Sequence, residues 1–523
     1  MEMSEGTRLR VIEEFKRRTE GKGELSVKEL LRLKKDISKL LNFDHVVKNG
    51  EILLALDEKD REKFLSALRM KPVRTASGVS VVELMTAPFV CPHGTCIFCP
   101  GGPRFGTPQG YTGYEPGARR AKAHSYDPYL QMNSRLKHYT FMGYEPEKIE
   151  LIINGGTFTA LPKDYAEDFV TRAYKAMNDF PNFKPGESPL ESEKERNEKA
   201  KARCVVFAVE TKPERCDENE IKRMLRYGIT RVEIGVQSVF NDILLKNNRG
   251  HTIEDVKNAS KRLRDAAFKL DYHIMLNLPF SDVDKDKETI RSIYEDDGFK
   301  PDAIKLYPTL VIKGTALYNM WKKGKYTPYS IDDVKDLIKY AEAAAPRWLR
   351  IMRVERDIPS NLIEAGVKMT NIRQIVQEEL KYRGIKSNDI RSREVGHNTL
   401  EKPPHIELGR INYRASGGDE IFLSFDDTAN DALIAFLRLR VPGESREALV
   451  RELHVYGPQV PITRKEEGFQ SRGFGRELLS KAEEIAKSEY SLKKIRIICG
   501  VGVREYYRRL GYTLEQEYMV KTL

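Results

Sequence analysis

Three cysteines within nine residues are the part of this chain in which residue type and spacing indicate chemistry most directly. Cys91, Cys96 and Cys99 lie in the stretch CPHGTCIFCPGG. Thiolates are soft ligands that suit an iron–sulfur cluster or zinc. Three of them can hold three irons of a 4Fe-4S cluster and leave the fourth iron open to a ligand that is not protein. Zinc would need a fourth protein ligand, and His93 in the same loop could supply it.

The spacing of the cysteines is close to that of enzymes that cleave S-adenosylmethionine into a radical. Those enzymes use Cys-x3-Cys-x2-Cys, and here the first gap is one residue longer. The loop is glycine-rich and follows a predicted first strand, Val79–Leu84. Phe98 precedes the last cysteine, where radical enzymes often carry an aromatic residue near the adenine. These features favour an iron–sulfur cluster, with a Cys3His zinc site as the alternative.

Further candidate ligand-binding residues follow two predicted strands. Gly155, Gly156 and Thr157 come directly after one strand, and Glu210 comes after the next. The active sites of parallel β/α barrels lie at the C-terminal ends of the strands. We therefore expect all four residues to face a ligand, with the backbone N–H groups of the glycine run receiving the methionine moiety of S-adenosylmethionine.

A second glycine motif lies in the C-terminal part of the chain. Residues 470–475 read Gln-Ser-Arg-Gly-Phe-Gly, between the predicted strand Arg451–Tyr456 and a predicted helix. A strand, a glycine-rich turn and a helix N-terminus together form a cradle for pyrophosphate. The tail then carries Tyr506 and Tyr507, which resemble tyrosines of the closing helix in the Gcn5-related acetyltransferase fold. Core packing is the alternative explanation for either tyrosine.

The elements that carry these residues predict an α/β protein. From about residue 76 to 385, short apolar runs alternate with helical stretches, which is typical of parallel β/α units. We expect a partial (β/α) barrel of the radical S-adenosylmethionine type there, preceded by a small, basic helical region over 1–75 that is suited to an RNA backbone. A connector spans 386–405, and 406–523 reads as strand, strand, helix, strand, helix, strand. The charged stretch 187–201 is predicted to be a mobile surface insertion.

Composition and charge limit the function classes. The chain has 523 residues, a net charge of +11 and only six cysteines, half of them in one loop. So few cysteines exclude a disulfide scaffold and suit a reducing, cytoplasmic location. A basic balance favours a polyanionic partner, nucleic acid first, although a generally charged surface would also produce it. The sequence has no apolar run near the roughly 20 residues that a membrane span requires.

Longer strings of sequence resemble one family, the catalytic subunit of Elongator, in an archaeal-type form. That family joins a radical S-adenosylmethionine domain to a Gcn5-related acetyltransferase domain, and the resemblance runs from about residue 71 to the C-terminus. The matching strings, in chain order, are RTASGV at 74–79, CPGGP at 99–103, YTGYEP at 111–116, GGTF at 155–158, EIGVQSV at 233–239, NRGH at 248–251, KLYPT at 305–309, RSREVG at 391–396 and RELHVYG at 451–457.

The resemblance implies a reaction on tRNA. S-adenosylmethionine is cleaved at the cluster to give a 5′-deoxyadenosyl radical, which takes hydrogen from the methyl group of acetyl-CoA. The carbon radical adds to carbon 5 of the wobble uridine, and hydrolysis of the thioester leaves 5-carboxymethyluridine. The implied partners are the anticodon stem-loop of tRNA, acetyl-CoA and an electron donor, and the sequence leaves a homodimer open.

The resemblance also assigns roles to individual residues. The expected catalytic residues are Lys148, which matches a lysine that contacts acetyl-CoA from the radical domain, and Tyr506 and Tyr507, the second of which matches a tyrosine near the thioester. The expected acetyl-CoA contacts are the strand beside the pantetheine and the pyrophosphate loop. They are Glu452, Leu453, His454 and Val455 on the strand, and Gly473, Phe474, Gly475 and Arg476 in the loop.

Two other functions stay open, and the chain departs from the family at one ligand position. A protein lysine acetyltransferase would use the C-terminal domain alone, with a structural iron–sulfur domain. A non-enzymatic RNA-binding scaffold would not need the complete cysteine triad. The chain has Ser387 and Ser392 near the point where some relatives carry cysteines for a structural zinc, which argues against that zinc.

Overall fold

The N-terminal region is a small bundle of helices. The computed structural model describes residues 5–21, 25–43, 45–70, 78–184, 186–397, 402–443, 445–457 and 472–523. The helices up to residue 70 are α1 (Glu5–Thr19), α2 (Val27–Leu40), α3 (Asn49–Ala55) and α4 (Glu58–Leu68). Ser26 and Glu29 form a capping box that starts α2. Phe15, Ile37 and Phe64 meet in a core of this bundle, as the helical spacing of apolar residues predicts.

The middle of the chain alternates strands and helices. Between residues 78 and 397 the elements are β1 (Val79–Met85), β2 (Gly101–Gly102), β3 (Thr107–Gln109), α5 (Pro116–Ala123), α6 (Pro128–Phe141), β4 (Lys148–Asn154), α7 (Lys163–Asn178), α8 (Leu190–Asn197), β5 (Arg203–Thr211), α9 (Glu218–Arg226), β6 (Arg231–Gln237), α10 (Asn241–Lys246), α11 (Ile253–Asp265), β7 (Lys269–Leu276), α12 (Val283–Glu295), β8 (Ala303–Pro308), β9 (Val311–Ile312), α13 (Ala316–Lys322), α14 (Ile331–Ala344), β10 (Arg350–Arg353), β11 (Ile363–Ala365), α15 (Ile372–Tyr382) and α16 (Ile390–Arg393).

The long strands of this region form a parallel sheet in the order β1-β4-β5-β6-β7-β8-β10. Chain neighbours are therefore sheet neighbours, which is the arrangement that repeated β/α units produce. Residues from every one of these strands line a single cavity, so the sheet is curved into a partial barrel. This confirms the predicted fold class, and "the barrel" below means this sheet with its helices.

The inner face of the barrel is polar, and the outer face is apolar. Successive side chains of a strand point to opposite faces of the sheet. In β6, Arg231, Glu233 and Gly235 line the cavity, whereas Val232 and Ile234 are buried in the main hydrophobic core. Strands β4, β7 and β8 alternate in the same way. The interior of the barrel is thus lined by charged groups that can meet a ligand.

The prediction of a mobile surface insertion over 187–201 is wrong. The stretch contains α8, on which Glu193, Lys194 and Asn197 are buried. The Asn197 side chain accepts a hydrogen bond of 2.8 Å from the backbone N–H of Cys204, at the start of β5. The charges of the stretch resemble a solvated segment in the sequence, but several of them are paired inside the fold.

The C-terminal region is a second sheet with one long helix. Its described elements are β12 (Ile406–Ala415), β13 (Gly418–Asp427), β14 (Ala432–Pro442), β15 (Glu447–Val455), α17 (Phe474–Ser488), β16 (Lys494–Ile497), α18 (Arg504–Arg508), β17 (Thr513–Glu515) and β18 (Tyr518–Thr522). The sheet order is β12-β13-β14-β15-β16-β18-β17. Four antiparallel strands precede α17, so the predicted pattern of two strands before the helix is wrong. Strands β12, β13 and β14 are joined by turns of only two and four residues, 416–417 and 428–431, which a coarse pattern does not separate from the strands.

Strands β15 and β16 separate part of the way along. They pair in parallel from Glu447 to Val450, opposite Lys494 to Ile497, and β15 then continues to Val455 paired with β14. A bulge in the pairing of β14 with β15 leaves Arg451 without a ladder partner. The opening between the two strands lies beside the start of α17, where the second glycine motif was predicted to act. Gln470 and Ser471 of that motif lie outside the described residues.

Buried ion pairs join the C-terminal sheet (β12–β18) to the barrel. Both Nη atoms of Arg451 bond to Asp302, which precedes β8, at 2.7 Å. Arg440 of β14 bonds to Asp265 at the end of α11, at 2.6 Å. Buried charges of this kind must be paired to be tolerated. Among the described residues, no helix combines the length and apolarity that crossing a membrane demands.

Part of the predicted connector packs into this junction. Asp389 is fully buried and accepts a hydrogen bond of 2.9 Å from the backbone N–H of Ile351 in β10. Arg393 of α16 pairs with Asp426 of β13 at 2.7 Å. The first part of the stretch 386–405 is therefore a packed element between the two sheets.

Candidate active site

The barrel encloses a cavity of about 730 Å³, which is large enough for a small-molecule cofactor. Cys91, Cys96 and Cys99 lie in its wall, together with Gly156 and Glu210. Thr157 lines it as well. The structure therefore brings together, at the C-terminal ends of the strands, the cysteine loop and three of the four residues predicted to face S-adenosylmethionine, whereas Gly155 packs against Thr86 and is not among the lining residues. One detail differs, because Glu210 lies within β5, as its second-to-last residue.

Each cysteine sulfur has a different side-chain partner. Cys91 Sγ lies 3.6 Å from Thr157 Oγ1. Arg249 Nη1 donates to Cys96 Sγ at 3.2 Å, and Gln109 Nε2 donates to Cys99 Sγ at 3.4 Å. Hydrogen bonds of this kind hold a sulfur in place and stabilise negative charge on it.

The spacing of the ligand atoms discriminates between zinc and a cluster. In the described part of the chain, no three ligand atoms drawn from the cysteine loop and His93 lie within 4.8 Å of one another. Tetrahedral zinc with Zn–S bonds near 2.3 Å requires sulfurs about 3.8 Å apart. A four-iron cube places each cysteine on a separate iron, so its sulfurs stand further apart. The spacing thus disfavours the Cys3His zinc site, and the cluster stays the prediction for the three cysteines.

Burial raises the pKa of the Cys91 thiol, and it raises that of Cys99 to about 12. Both groups are therefore protonated at neutral pH until a metal centre replaces the proton. Burial, with the nearby charges of Lys212 and Arg249, lowers the pKa of His93 to about 4, so this imidazole is neutral. His93 Nε2 lies 3.2 Å from Cys96 Sγ, where it acts as a hydrogen-bond partner of the sulfur.

Glycines allow the backbone to approach the sulfurs closely. Gly156 has φ +101°, and a Cβ there would lie 3.9 Å from Cys91 Sγ and 3.4 Å from a backbone oxygen. A Cβ on Gly110 would lie 3.9 Å from Cys99 Sγ. At Gly155 the Thr86 hydroxyl stands 2.0 Å from the position of a Cβ. Gly155 is thus required by its close packing against Thr86, while Gly156 leaves room for a ligand beside the Cys91 sulfur.

A group of charged residues in the middle of the barrel was missed by sequence reasoning. Glu233 of β6 accepts a hydrogen bond of 2.9 Å from His273 Nε2 of β7, and Lys305 of β8 bonds to the same carboxylate oxygen. All three line the cavity. A single polar residue within an apolar strand carries no periodic pattern, so spacing could not reveal this group. The sequence signal was that Glu233 and Lys305 belong to strings shared with the family.

Residues 452–455 alternate between two faces of β15. Glu452 and His454 face the barrel, where His454 stacks on Phe436 and contacts Tyr456. Leu453 and Val455 face the start of α17, with Val455 Cγ2 3.4 Å from the position of a Cβ on residue 475. The strand therefore offers an apolar edge to the pyrophosphate loop and a polar edge to the barrel.

Glu452 is locked in an ion-pair network that crosses to the barrel. Lys269 Nζ of β7 donates to Glu452 Oε1 at 2.7 Å, and Arg438 Nε donates to Oε2 at 2.9 Å. Burial alone would raise the pKa of Glu452, but the charges of Lys269 and Arg438 outweigh it and lower the pKa to about 2. Burial lowers the pKa of His454. Neither group on this strand is tuned to take up a proton near neutral pH.

The described part of the glycine loop starts α17. Gly473 has φ +84°, a left-handed conformation that favours glycine, and the Phe474 ring packs 4.8 Å from that of Phe425. A Cβ on Gly475 would lie 3.3 Å from the Tyr506 hydroxyl. Arg476 is exposed in the first turn. The start of α17 thus carries two glycines, Gly473 and Gly475, where a phosphate cradle would use exposed backbone N–H groups.

The two predicted tyrosines point in different directions. Tyr506 is partly exposed, and its hydroxyl reaches the first turn of α17 near Gly475. Tyr507 is buried, with its ring 6.0 Å from that of Tyr512. Burial, with the neighbouring Cys499, raises the pKa of Tyr507 well above its usual value. The structure therefore places Tyr506 nearer to the pyrophosphate loop, and Tyr507 in the core beneath it.

Lys148 begins β4 and so lies at the end of the barrel opposite to the cysteines. Burial and the charge of Arg203 lower the pKa of Lys148. Arg203 contacts the loop of the C-terminal sheet that contains Gly502, because a Cβ added to Gly502 would lie 2.5 Å from the Cβ of Arg203. Lys148 is thus at the junction with that sheet, and its contact with acetyl-CoA stays a prediction.

Comparison with known proteins decides the family. The Radical SAM superfamily model matches residues 88–293, its C-terminal domain 301–382, the ELP3 N-terminal domain 12–76 and the Acetyltransferase (GNAT) family 390–512. A Methanocaldococcus jannaschii relative, named tRNA uridine(34) acetyltransferase, is 47% identical over 91% of this chain and 90% of its own length. Human Elongator complex protein 3 is 40% identical over 90% of this chain and 89% of its own. This chain belongs to the Elongator complex protein 3 family.

A solved structure of the Elongator complex protein 3 family agrees with the fold described above. The Methanocaldococcus infernus Elp3, with residues 1–46 deleted, is 41% identical, covers 86% of this chain and 100% of that chain, and gives a TM-score of 0.75. Family membership includes the N-terminal helices, since the ELP3 N-terminal domain model spans most of the region that the sequence predicted to be helical and basic.

Proposed function

We propose that the protein modifies the wobble uridine of tRNA, forming 5-carboxymethyluridine from acetyl-CoA with the help of a radical. One observation carries this proposal. The cysteine loop and the acetyltransferase-type loop lie at opposite ends of one barrel, and buried ion pairs fix the two sheets to each other. The cavity extends from the cysteine loop to Arg231 at the start of β6, so a donor arm that enters it from the C-terminal sheet could meet a radical formed at the cluster. The relatives named tRNA uridine(34) acetyltransferase support the substrate.

Cys91, Cys96 and Cys99 would hold a 4Fe-4S cluster which, with S-adenosylmethionine, supplies the 5′-deoxyadenosyl radical. Gly156 exposes backbone at the sulfurs, so the chain can approach the methionine moiety closely. The Glu210 carboxylate accepts a hydrogen bond of 2.9 Å from the Tyr111 hydroxyl, which fixes its direction. We propose that the Glu210 carboxylate binds a hydroxyl or amine group of S-adenosylmethionine.

The donor side would hold acetyl-CoA. The backbone of Gly473–Arg476 would receive the pyrophosphate at the start of α17. Leu453 and Val455 would contact the pantetheine along the apolar edge of β15, with Lys148 and Tyr506 towards the thioester and Tyr507 in the core beneath them. The net charge of +11, with basic residues in the N-terminal helices, supports binding of the tRNA backbone.

The alternative of a protein lysine acetyltransferase is less well supported. That reaction requires a base that removes a proton from the lysine ammonium, and an efficient base has a pKa near the working pH. The pKa of Glu452 is held at about 2 by its ion pairs. Both of its oxygens are engaged by Lys269 and Arg438. The carboxylate on this strand is thus structural.

The decisive experiment is a reconstituted reaction. The cluster is rebuilt anaerobically, and S-adenosylmethionine, acetyl-CoA, a chemical reductant and a tRNA with an unmodified wobble uridine are supplied. We expect 5′-deoxyadenosine, free coenzyme A and the modified nucleoside to form together. Cys96→Ala should abolish all three products, while Cys204→Ala, which removes a buried thiol outside the loop, should not. Products that persist unchanged with Cys96→Ala, or with a tRNA carrying cytidine at the wobble position, would contradict the proposal.

A further inference from the structure

Four titratable side chains from neighbouring strands meet on the inner face of the barrel. Glu210, Glu233 and His273 come from β5, β6 and β7, and their ligand atoms all lie within 4.8 Å of one another. Lys305 of β8 bonds to Glu233. They are adjacent because each occupies an inward position on successive strands of the sheet. The group lines the same cavity as the cysteines, and Glu210 is also assigned to S-adenosylmethionine, whereas Glu233, His273 and Lys305 have no role in the function proposed above.

Cations already balance the Glu233 carboxylate. Arg231 Nη2 donates to Glu233 Oε1 at 3.2 Å, while Lys305 and His273 bond to Oε2. Burial would raise the pKa of Glu233, but the charges of Lys305 and Arg231 and the hydrogen bond from His273 hold it well below its usual value. Because two fixed cations lie against this carboxylate, a metal ion is not needed to neutralise it.

The carboxylate fixes the orientation of the imidazole. His273 Nε2 lies 2.9 Å from Glu233 Oε2, and Nδ1 has no hydrogen bond with a residue that the structure describes. The Tyr307 ring packs edge-on against the imidazole at 5.6 Å. Since His273 lines the cavity, Nδ1 is the ring nitrogen available to a ligand. A buried carboxylate that orients an imidazole in this way is the arrangement of a general base.

The position of the pair along the barrel indicates which reaction it serves. Lys269, four residues before His273 on β7, bonds to Glu452 of the donor strand. Four residues of strand span about 13 Å. The pair therefore lies in the barrel interior, between the donor strand and the cysteine loop. The proposed function contains one step that needs a proton acceptor there and has none assigned, the hydrolysis of the thioester.

We propose that His273 is the general base for thioester hydrolysis and that Glu233 is its positioning residue; this rests on the proposed function. His273 Nδ1 takes a proton from water as the water oxygen bonds to the thioester carbonyl carbon. The carbon–sulfur bond then breaks, and the coenzyme A thiolate takes the proton from Nδ1. The products are a carboxylic acid and free coenzyme A, and no electron is gained or lost.

The test separates radical formation from hydrolysis. His273→Gln keeps a polar side chain of similar length but cannot act as a base. In the reconstituted enzyme with tRNA, we expect 5′-deoxyadenosine formation within about twofold of wild type and coenzyme A release at least about 100-fold slower. A tRNA adduct that retains coenzyme A should accumulate and release it on treatment with hydroxylamine, which cleaves thioesters.

Two controls keep the test specific. His405→Gln removes an exposed imidazole that also pairs with a carboxylate, Glu407, and should leave every product unchanged. Glu233→Gln should slow coenzyme A release less than His273→Gln does and should shift the pH dependence of that release. Thermal unfolding of each variant establishes that it is folded.

Three outcomes would overturn the inference. Coenzyme A release in His273→Gln at the wild-type rate would show that the imidazole is not the base. An equal fall in 5′-deoxyadenosine and coenzyme A would place His273 in binding or in an earlier step. Wild-type protein that forms no 5′-deoxyadenosine with tRNA and acetyl-CoA would overturn the proposed function, and the inference with it.

Discussion

The two ends of the barrel differ in what their side chains are arranged to do. At the C-terminal ends of the strands, a Cβ added to Gly156 or Gly110 would lie 3.9 Å from a cysteine sulfur, and each sulfur is held by one or two side chains. At the N-terminal ends, arginines of the C-terminal sheet are buried against carboxylates of the barrel. One end is organised to receive a ligand, and the other is organised to join two domains.

The difference teaches how the two functions can coexist in one chain. Ligand sites require space and uncommitted groups, which contribute little to stability. At the junction, by contrast, the charged groups are already paired with one another, as Glu452 is with Lys269 and Arg438. Mutations at the two ends should therefore separate into losses of activity and losses of stability, and the predictions below test that separation.

The largest effect on activity is expected at the cysteine end. Cys96→Ala should reduce 5′-deoxyadenosine formation to background, because one iron loses its ligand. The free energy of unfolding of the apoprotein should change by no more than about 1 kcal/mol, since the substitution removes a single buried sulfur. The yield of 5′-deoxyadenosine and the iron content measure the first effect, and denaturant unfolding of the apoprotein measures the second. A large loss of apoprotein stability would mean that this end also supports the fold.

The largest effect on stability is expected at the junction. Arg451→Met removes the closest partner of buried Asp302 and one of the partners of buried Glu420, and should lower the free energy of unfolding by about 3–5 kcal/mol. Arg410→Met is the matched control, because its pair with Glu489 is exposed and should contribute less than about 1 kcal/mol. If the two variants unfold at the same denaturant concentration, the buried pairs do not hold the sheets together.

A pH dependence should distinguish the junction from ordinary surface charge. The pKa of Glu452 is lowered to about 2 in the folded protein from the usual 4.5. The ionised form is therefore favoured on folding, and the resulting stability of about 3 kcal/mol is present above pH 5 and lost as the pH falls towards 2. Glu452→Gln should be less stable than wild type at pH 7, and the difference should shrink on acidification. A difference independent of pH would exclude the ion pair as its cause.

The smallest effect comes from backbone packing at the same junction. A Cβ on Gly500 would lie 2.3 Å from the backbone oxygen of Val205 in β5. Gly500→Ala should therefore force the C-terminal sheet away from the barrel and destabilise the protein by about 1–3 kcal/mol. Gly186→Ala, at an exposed glycine whose nearest neighbour is the end of a lysine side chain at 3.8 Å, should have little effect. Equal unfolding midpoints for the two variants would show that the junction accommodates the added methyl group without loss of stability.

Features encoded by local spacing were predicted from the sequence. The cysteine loop, the Gly-Gly-Thr run and the alternation of strands with helices each lie within a short window, and the structure places them where they were expected. Glu233 and Lys305 were not found, because 72 residues separate them and only the order of the strands brings them together. Similarly, the charges of α8 suggested a solvated segment, since pairs such as Lys194 with Glu517 of the C-terminal region are invisible in one dimension.

The arginines of the C-terminal sheet have a consequence for exchanging domains between proteins. Arg438, Arg440 and Arg451 are nearly or fully inaccessible to solvent, and Asp265 and Asp302, which balance them, belong to the barrel. A chimera that imported another acetyltransferase domain would have to bring a matching set of charges or else replace both aspartates. The two halves of this enzyme are therefore not interchangeable modules, and a working hybrid should need coordinated changes on both sides of the junction.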